Sequence, residues 1–185
     1  MPTELILGGA RSGKSRLAEQ RATDHGGPVT VIATAEAGDD EMAMRIARHR
    51  ADRPGHWQTL EAPTGLAEAL QRVARAEGCV IVDCLTLWLS NLLMADAADL
   101  RAPHDADMLP RWQREHAALL ATLPALPGTT LLVANEVGLG LVPESPLGRL
   151  FRDEAGRLNQ SVAAICDRVT LVAAGLPLTL KAPPG

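Results

Sequence analysis

A run of Leu5, Ile6 and Leu7 followed by Gly-Gly-Ala-Arg-Ser-Gly-Lys-Ser at positions 8 to 15 confines this chain to few folds. The spacing G-x-x-x-x-G-K-[ST] works only as the turn between a buried strand and a helix. The glycines let successive backbone N–H groups face one anion, and the helix dipole points its positive end the same way. Gly8, Gly9, Ala10, Arg11, Ser12, Gly13, Lys14 and Ser15 are therefore expected to bind a nucleoside triphosphate. Lys14 is expected to meet the β/γ oxygens as a catalytic residue, and the Ser15 hydroxyl to ligate Mg²⁺.

The rest of the pattern agrees with a strand–loop–helix beginning. Short apolar runs recur at Glu4 to Leu7, Val29 to Thr34, Trp57 to Leu60, Cys79 to Asp83, Thr130 to Ala134 and Val169 to Ala173. Helical patterns are expected at Lys14 to Asp24, Asp40 to Arg53, Gly65 to Glu77, Leu85 to Met94, Asp107 to Leu123 and Leu147 to Asp167. This alternation predicts an α/β fold, a mostly parallel sheet covered on both faces. Val169 to Ala173 and Pro177 to Lys181 are close enough in sequence for a hairpin, so an antiparallel edge strand is expected at the C-terminal end. Ala95 to Asp107 is polar and contains proline, and reads as a surface loop. No composition break divides the 185 residues, which read as one domain, 1 to 185.

Composition narrows the function classes. The net charge is −4 with no basic block, so a nucleic-acid footprint is not expected. The apolar runs are far shorter than a bilayer span, and the chain enters its first strand directly after Met1 and Pro2; a soluble, cytoplasmic protein is expected. Cys79, Cys84 and Cys166 are an odd number without paired spacing, which suggests neither a disulfide framework nor a zinc site.

In open parallel sheets ligands bind at the carboxyl ends of the strands, which makes Ala33 to Ala35, Glu61, Asp83, and Asn135 with Glu136 candidates beside the phosphate loop. Asp83, at the end of Val80-Ile81-Val82, is either the acidic Mg²⁺ partner of the phosphate loop or an N-cap for the helix starting at Leu85. Arg45, His49, Asp52 and Arg53 fall at i, i+4, i+7 and i+8, on one helical face. That face is either solvated, or it carries a nucleophile: an imidazole of ordinary pKa, about 6.5, is largely neutral at pH 7, and neighbouring guanidinium groups favour the neutral form. Glu61 is either a surface carboxylate or a selector of guanine, whose N1–H and 2-amino donors adenine lacks. Arg149, Arg152 and Arg157 either meet phosphate or pair with Asp153 and Glu154.

Several stretches together resemble the bifunctional adenosylcobinamide kinase / adenosylcobinamide-phosphate guanylyltransferase family. They are the phosphate loop, Ile32-Ala33-Thr34, Asp40-Glu41-Met42 through Arg45-Ile46 to His49-Arg50, Arg53-Pro54, Asp83-Cys84-Leu85-Thr86 with Asn91-Leu92-Leu93, Asn135-Glu136-Val137-Gly138, and Phe151-Arg152-Asp153 with Asn159-Gln160. The resemblance implies a P-loop NTPase domain of RecA-like fold acting twice on a corrinoid, with ATP and GTP as substrates and Mg²⁺ as cofactor. The acceptor hydroxyl of adenosylcobinamide is phosphorylated first; GMP from GTP then passes to that phosphate through a guanylylated histidine. His49 matches the family's histidine. Ala33, Thr34, Ala35, Arg50, Ala51, Asp52, Arg53, Glu61 and Asp83 match positions that contact nucleotide, with Ser15 and Asp83 at the metal. Asp83 stands where some members carry Glu. A homo-oligomer, specifically a trimer, is implied as well, and a single-function small-molecule kinase is the alternative.

Overall fold

A computed structural model describes residues 2–36, 44, 53–99 and 109–182. Seven strands form one sheet: β1 (Thr3–Gly8), β2 (Val29–Ala33), β3 (Gln58–Glu61), β4 (Cys79–Asp83), β5 (Thr129–Asn135), β6 (Arg168–Ala173) and β7 (Leu176–Lys181). Their spatial order is β3-β2-β4-β5-β1-β6-β7, with all neighbours parallel except β6 and β7. The middles of the central strands, Leu5 to Leu7, Val80 to Val82 and Leu131 to Ala134, are apolar and buried because both faces are covered. Helix α1 (Lys14–His25) packs Ala18 and Ala22 with Ile6, Val31, Ile81 and Val133 on one face. On the other face, α2 (Leu66–Val73), α3 (Leu85–Asp99), α4 (Pro110–Thr122) and α5 (Pro146–Ile165) bury Leu5, Leu7, Val80, Val82 and Leu132. The predicted α/β class and antiparallel edge strand are both present, and β6 turns into β7 through Ala174 and Gly175, each at positive φ.

The helix boundaries differ from the sequence reading in places that have local causes. Helix α2 stops at Val73 rather than Glu77, because Ala74 is extended and Gly78 N–H closes a turn onto Arg75 O. The expected surface loop at Ala95 to Asp107 is incorrect for its first part. Helix α3 continues to Asp99, and Asp96 is buried, its two carboxylate oxygens accepting from the N–H groups of Arg111 and Trp112 at the start of α4. Residues 100–107 lie outside the described residues. So does most of the predicted helix Asp40 to Arg53; of it, Met44 is helical and Arg53 is at a bend.

The α3–α4–α5 layer carries its own polar lock. Trp112 meets Trp88 edge-on, with centroids 5.6 Å apart, and stacks on His116 at 4.7 Å. Its indole N–H donates to Glu154 Oε2 at 2.8 Å, and Arg157 pairs with the other oxygen of that buried carboxylate. His116 Nε2 and Ser161 Oγ lie 2.8 Å apart. Of the three candidate arginines, Arg152 and Arg157 pair with Asp153 and Glu154, while Arg149 donates to the carbonyls of Pro143 and Glu144. All three cysteines are free and buried. Burial pushes Cys79 and Cys166 up to about 12 and Cys84 up to about 11, so all three remain thiols at neutral pH.

Candidate active site

The phosphate loop is held in shape by its surroundings. Ser12 N–H donates to Gly9 O at 3.2 Å, and the β6–β7 turn braces the loop from outside through Gly175 N–H to Ser12 O at 2.9 Å. Gly8 has no room for a side chain: a Cβ there would lie 2.4 Å from Ser12 Oγ and 2.6 Å from Val172 O. Gly13 takes φ 99°, in the left-handed region that favours glycine, to start α1. The Ser12 hydroxyl is buried without a hydrogen-bond partner in the protein. An orphaned donor inside a ring of amides suits an anion that the loop is shaped to receive.

Lys14 is only 8 % exposed, its ammonium donating to Gly9 O at 3.0 Å. Burial lowers its pKa, opposed in part by the negative charge of Asp83. A partly desolvated ammonium gains more from a phosphate than one in bulk water, because the local dielectric is low.

Asp83 ends β4, separated from β1 by β5; register pairs Gly8 with Asn135 and Asp83 with Val133. Its Oδ2 accepts from Arg53 Nη2 at 2.9 Å, and Arg53 Nε lies 3.9 Å from Glu19 Oε1. Ser15, Glu19, Arg53 and Asp83 line one small pocket with Val31, Ile81 and Val133. A carboxylate and a hydroxyl at one pocket are hard oxygen donors that fit Mg²⁺, and Arg53 shows that the Asp83 carboxylate faces a cation. The Arg53–Asp83 ion pair was not legible from sequence, since nothing local links positions thirty apart.

The strand ends beside Asp83 are fixed by Thr34, which is fully buried. Its N–H donates to Asp83 O at 3.1 Å; its hydroxyl donates to Cys84 O at 2.7 Å and accepts from Cys84 N–H at 2.9 Å. Asn91 completes the mesh by donating from one amide nitrogen to Thr34 O and Pro63 O, at 2.8 and 3.0 Å. One signal for Asn91 exists in sequence: it is an amide in the apolar helix of Leu85, Leu89, Leu92 and Leu93.

The candidate residues thus fall into groups. Gly8 through Ser15, Asp83 and Arg53 converge at the carboxyl edge of the central strands, with Ala33, Thr34 and Ala35 next to them. Glu61 is exposed at the end of the outer strand β3, in register with Ala33 and separated from β1 by β2, β4 and β5. His49, Arg50, Ala51 and Asp52 lie outside the described residues, as does Arg45. On the other flank, Glu136 N–H donates to Gly8 O at 3.0 Å, Asn135 N–H to Thr86 Oγ1 at 2.7 Å, and Asn159 Nδ2 to Asn135 O at 3.3 Å. Thr86 and Asn159 were named in sequence only within longer motifs; their placing of Asn135 required the fold.

Comparison with known proteins gives the family. The family described as cobinamide kinase / cobinamide phosphate guanyltransferase matches residues 4–180. A bifunctional adenosylcobalamin biosynthesis protein CobP of Pseudomonas aeruginosa is 54% identical over 181 residues, covering 98% of each chain. The corresponding CobU of Escherichia coli is 42% identical over 180 residues, covering 96% of this chain and 98% of its own. Among solved structures, an ATPase of a bacterial type III secretion system superposes with a TM-score of 0.57 at 14% identity, over 96% of this chain and 56% of the other, a likeness of fold alone. The chain belongs to the cobinamide kinase / cobinamide phosphate guanyltransferase family.

Proposed function

We propose that this chain is a bifunctional enzyme of cobalamin synthesis, one domain working in the cytoplasm as a homotrimer. It phosphorylates the hydroxyl of adenosylcobinamide with ATP or GTP. It then transfers GMP from GTP to the adenosylcobinamide phosphate, giving adenosylcobinamide-GDP and pyrophosphate. The observation that supports this reading best is the buried Lys14 beneath a preformed phosphate loop and beside Asp83, in a chain of this family.

In the first reaction the loop amides and Lys14 hold the triphosphate and stabilise charge on the transferring phosphoryl group. Ser15 and Asp83 would hold Mg²⁺, which supplies neutralisation of phosphate charge. In the second, a neutral His49 nitrogen attacks the α-phosphorus of GTP, the N–P bond forms, the bond to the bridging oxygen breaks and pyrophosphate leaves. The corrinoid phosphate then takes GMP from the imidazole. Arg50, Arg53, Ala51, Asp52 and Ala33 to Ala35 contact the nucleotide, and Glu61 selects guanine by accepting from N1–H and the 2-amino group.

The test is covalent labelling with GTP carrying label on its α-phosphorus. Wild type with Mg²⁺ should retain label through a bond that acid breaks and base spares, as expected of a phosphoramidate. His49→Asn should retain none. Equal acid-labile label on the two proteins would overturn the nucleophile.

A further inference from the structure

Strand β5 lies between β1, which leads into the phosphate loop, and β4, which ends in Asp83. Its last residue, Asn135, pairs with Gly8, and Val133 pairs with Asp83. Side chains alternate along a strand, and Leu131 and Val133 pack with Ala18 and Ala22 of α1. Asn135 therefore points to the α1 face, the face on which Asp83 follows Cys79 and Ile81. Val133 lines the pocket shared by Ser15 and Asp83. Asn135 stands about 6.6 Å further along the strand, toward the carboxyl edge, and about 4.8 Å from the strand that carries Gly8. The Lys14 ammonium, 3.0 Å from Gly9 O, marks the same interval as the place where the end of a triphosphate is held.

The main chain of Asn135 is fixed from two helices. Its N–H donates to Thr86 Oγ1 at 2.7 Å, and its O accepts from Asn159 Nδ2 at 3.3 Å. The following N–H, that of Glu136, donates to Gly8 O at 3.0 Å. Thr86 and Asn159 are both buried, and Thr86 is three residues after Asp83, so the same turn sets both strand ends. The side-chain amide that these bonds hold in place has, among the described residues, no hydrogen-bond partner of its own. A donor fixed in advance at the transferring group is what stabilises the charge that develops there. A neutral amide gives such a donor without the repulsion that a carboxylate would meet from phosphate.

Resting on the function proposed above, we infer that Asn135 is a catalytic residue of phosphoryl transfer, its Nδ2–H donating to a γ-phosphoryl oxygen alongside Lys14. The acceptor hydroxyl oxygen forms its bond to the γ-phosphorus as the bond to the bridging oxygen breaks, the nucleoside diphosphate leaves, and the hydroxyl proton passes to solvent. Asn135 forms and breaks no covalent bond. In GMP transfer the reacting atom is the α-phosphorus, so a donor at the γ-phosphoryl group touches only the far end of the leaving pyrophosphate and matters less.

The experiment follows both reactions in full-length protein carrying Asn135→Ala or Asn135→Asp, together with the urea midpoint of each. Both variants should keep the wild-type midpoint, since the amide makes no bond among the described residues. Asn135→Ala should lower kcat for adenosylcobinamide phosphorylation by about 10²-fold, the effect of removing one pre-set donor. KM for ATP should stay within a few-fold, and GMP transfer to preformed adenosylcobinamide phosphate should fall by less than about 10-fold, because the contact strengthens only where charge develops. Asn135→Asp, which keeps the shape and replaces the donor by an acceptor, should phosphorylate no faster than Asn135→Ala. Wild-type phosphorylation in Asn135→Ala would overturn the inference. So would an Asn135→Asp protein faster than Asn135→Ala, which would make the residue an acceptor for the incoming hydroxyl, and so would equal loss of the two reactions. Wild type that binds ATP and phosphorylates no corrinoid would instead overturn the proposed function. The inference is then read in hydrolysis of ATP, where water attacks the same phosphorus, and an unchanged rate in Asn135→Ala would overturn it there.

Discussion

Two neighbouring stretches of the sheet's carboxyl edge are built in opposite ways. Around the phosphate loop and Asp83, polar groups are buried and mostly spoken for: Lys14 is held by Gly9 O, and Thr34 uses its N–H, carbonyl and hydroxyl inside the protein. The β5–α5 loop, one strand away, is tied at both ends and bare at its tip. The difference follows from where the backbone polar groups lie, inside the packed edge in one case and in solvent in the other. Charge on a transferring phosphoryl group is stabilised by dipoles fixed in advance, which a packed edge provides. A loop outside the sheet carries no such requirement, and only its two ends are tied.

The largest expected effect is at the centre of the rigid side. Lys14→Ala should lower adenosylcobinamide phosphorylation by about 10²-fold or more by removing a charge aimed at the transferring group, with the far-UV circular dichroism of wild type. Near-normal turnover by that folded variant would remove the assignment of the phosphate loop and with it the contrast.

Thr34→Val tests whether the rigidity comes from the hydrogen-bond mesh. The change keeps the shape and leaves the buried Cys84 N–H without its partner, while Cys84 O keeps only Trp88 N–H at 3.2 Å, at a cost of about 1–3 kcal/mol in stability. A lowered urea midpoint should appear with a raised Mg²⁺ requirement for turnover. An unchanged midpoint would show that packing alone holds the edge.

Arg53→Ala sharpens the comparison at the metal ligand. Asp83 then loses the cation 2.9 Å away, and Mn²⁺ binding to the nucleotide-free protein, followed by electron paramagnetic resonance, should tighten by a few-fold. Weaker binding would mean that Arg53 holds the carboxylate in its ligating position.

His116 gives the smallest effect, behind the open loop, where α4 steadies the α5 helix that the loop enters. Burial lowers its pKa, opposed in part by Glu154, so the fold favours the neutral ring. The stability it contributes is therefore complete above its ordinary pKa, about 6.5, and is lost as pH falls from there through the depressed value. The thermal midpoint should drop with acidification in this window more for wild type than for His116→Gln. Parallel curves would place the pH dependence on other groups.

Much of the rigid side was legible in sequence and little of what holds it was. The phosphate loop, the buried β4 ending in Asp83 and the β6–β7 hairpin are local patterns, written in glycine spacing, apolar runs and a short turn. Residues 95 to 99 were misread because their Ala/Asp composition looks solvated. Asp96 is helical and buried as the cap of a helix that starts at Pro110, a partnership only the fold creates. Asn91 and Arg53 act through partners 57 and 30 positions away, equally invisible to local pattern. Asn135 and Glu136 were recognisable as residues after a strand, but the bonds from Thr86 and Asn159 that fix Asn135 come from positions 49 and 24 away.

The most direct test of two reactions on one chain is a paired assay of wild type and His49→Asn. One arm follows γ-phosphoryl transfer from labelled ATP to adenosylcobinamide; the other follows GMP transfer from GTP to preformed adenosylcobinamide phosphate. His49→Asn should phosphorylate within a few-fold of wild type, with GMP transfer reduced by orders of magnitude. Parallel loss of both activities, or GMP transfer that persists in His49→Asn, would contradict it.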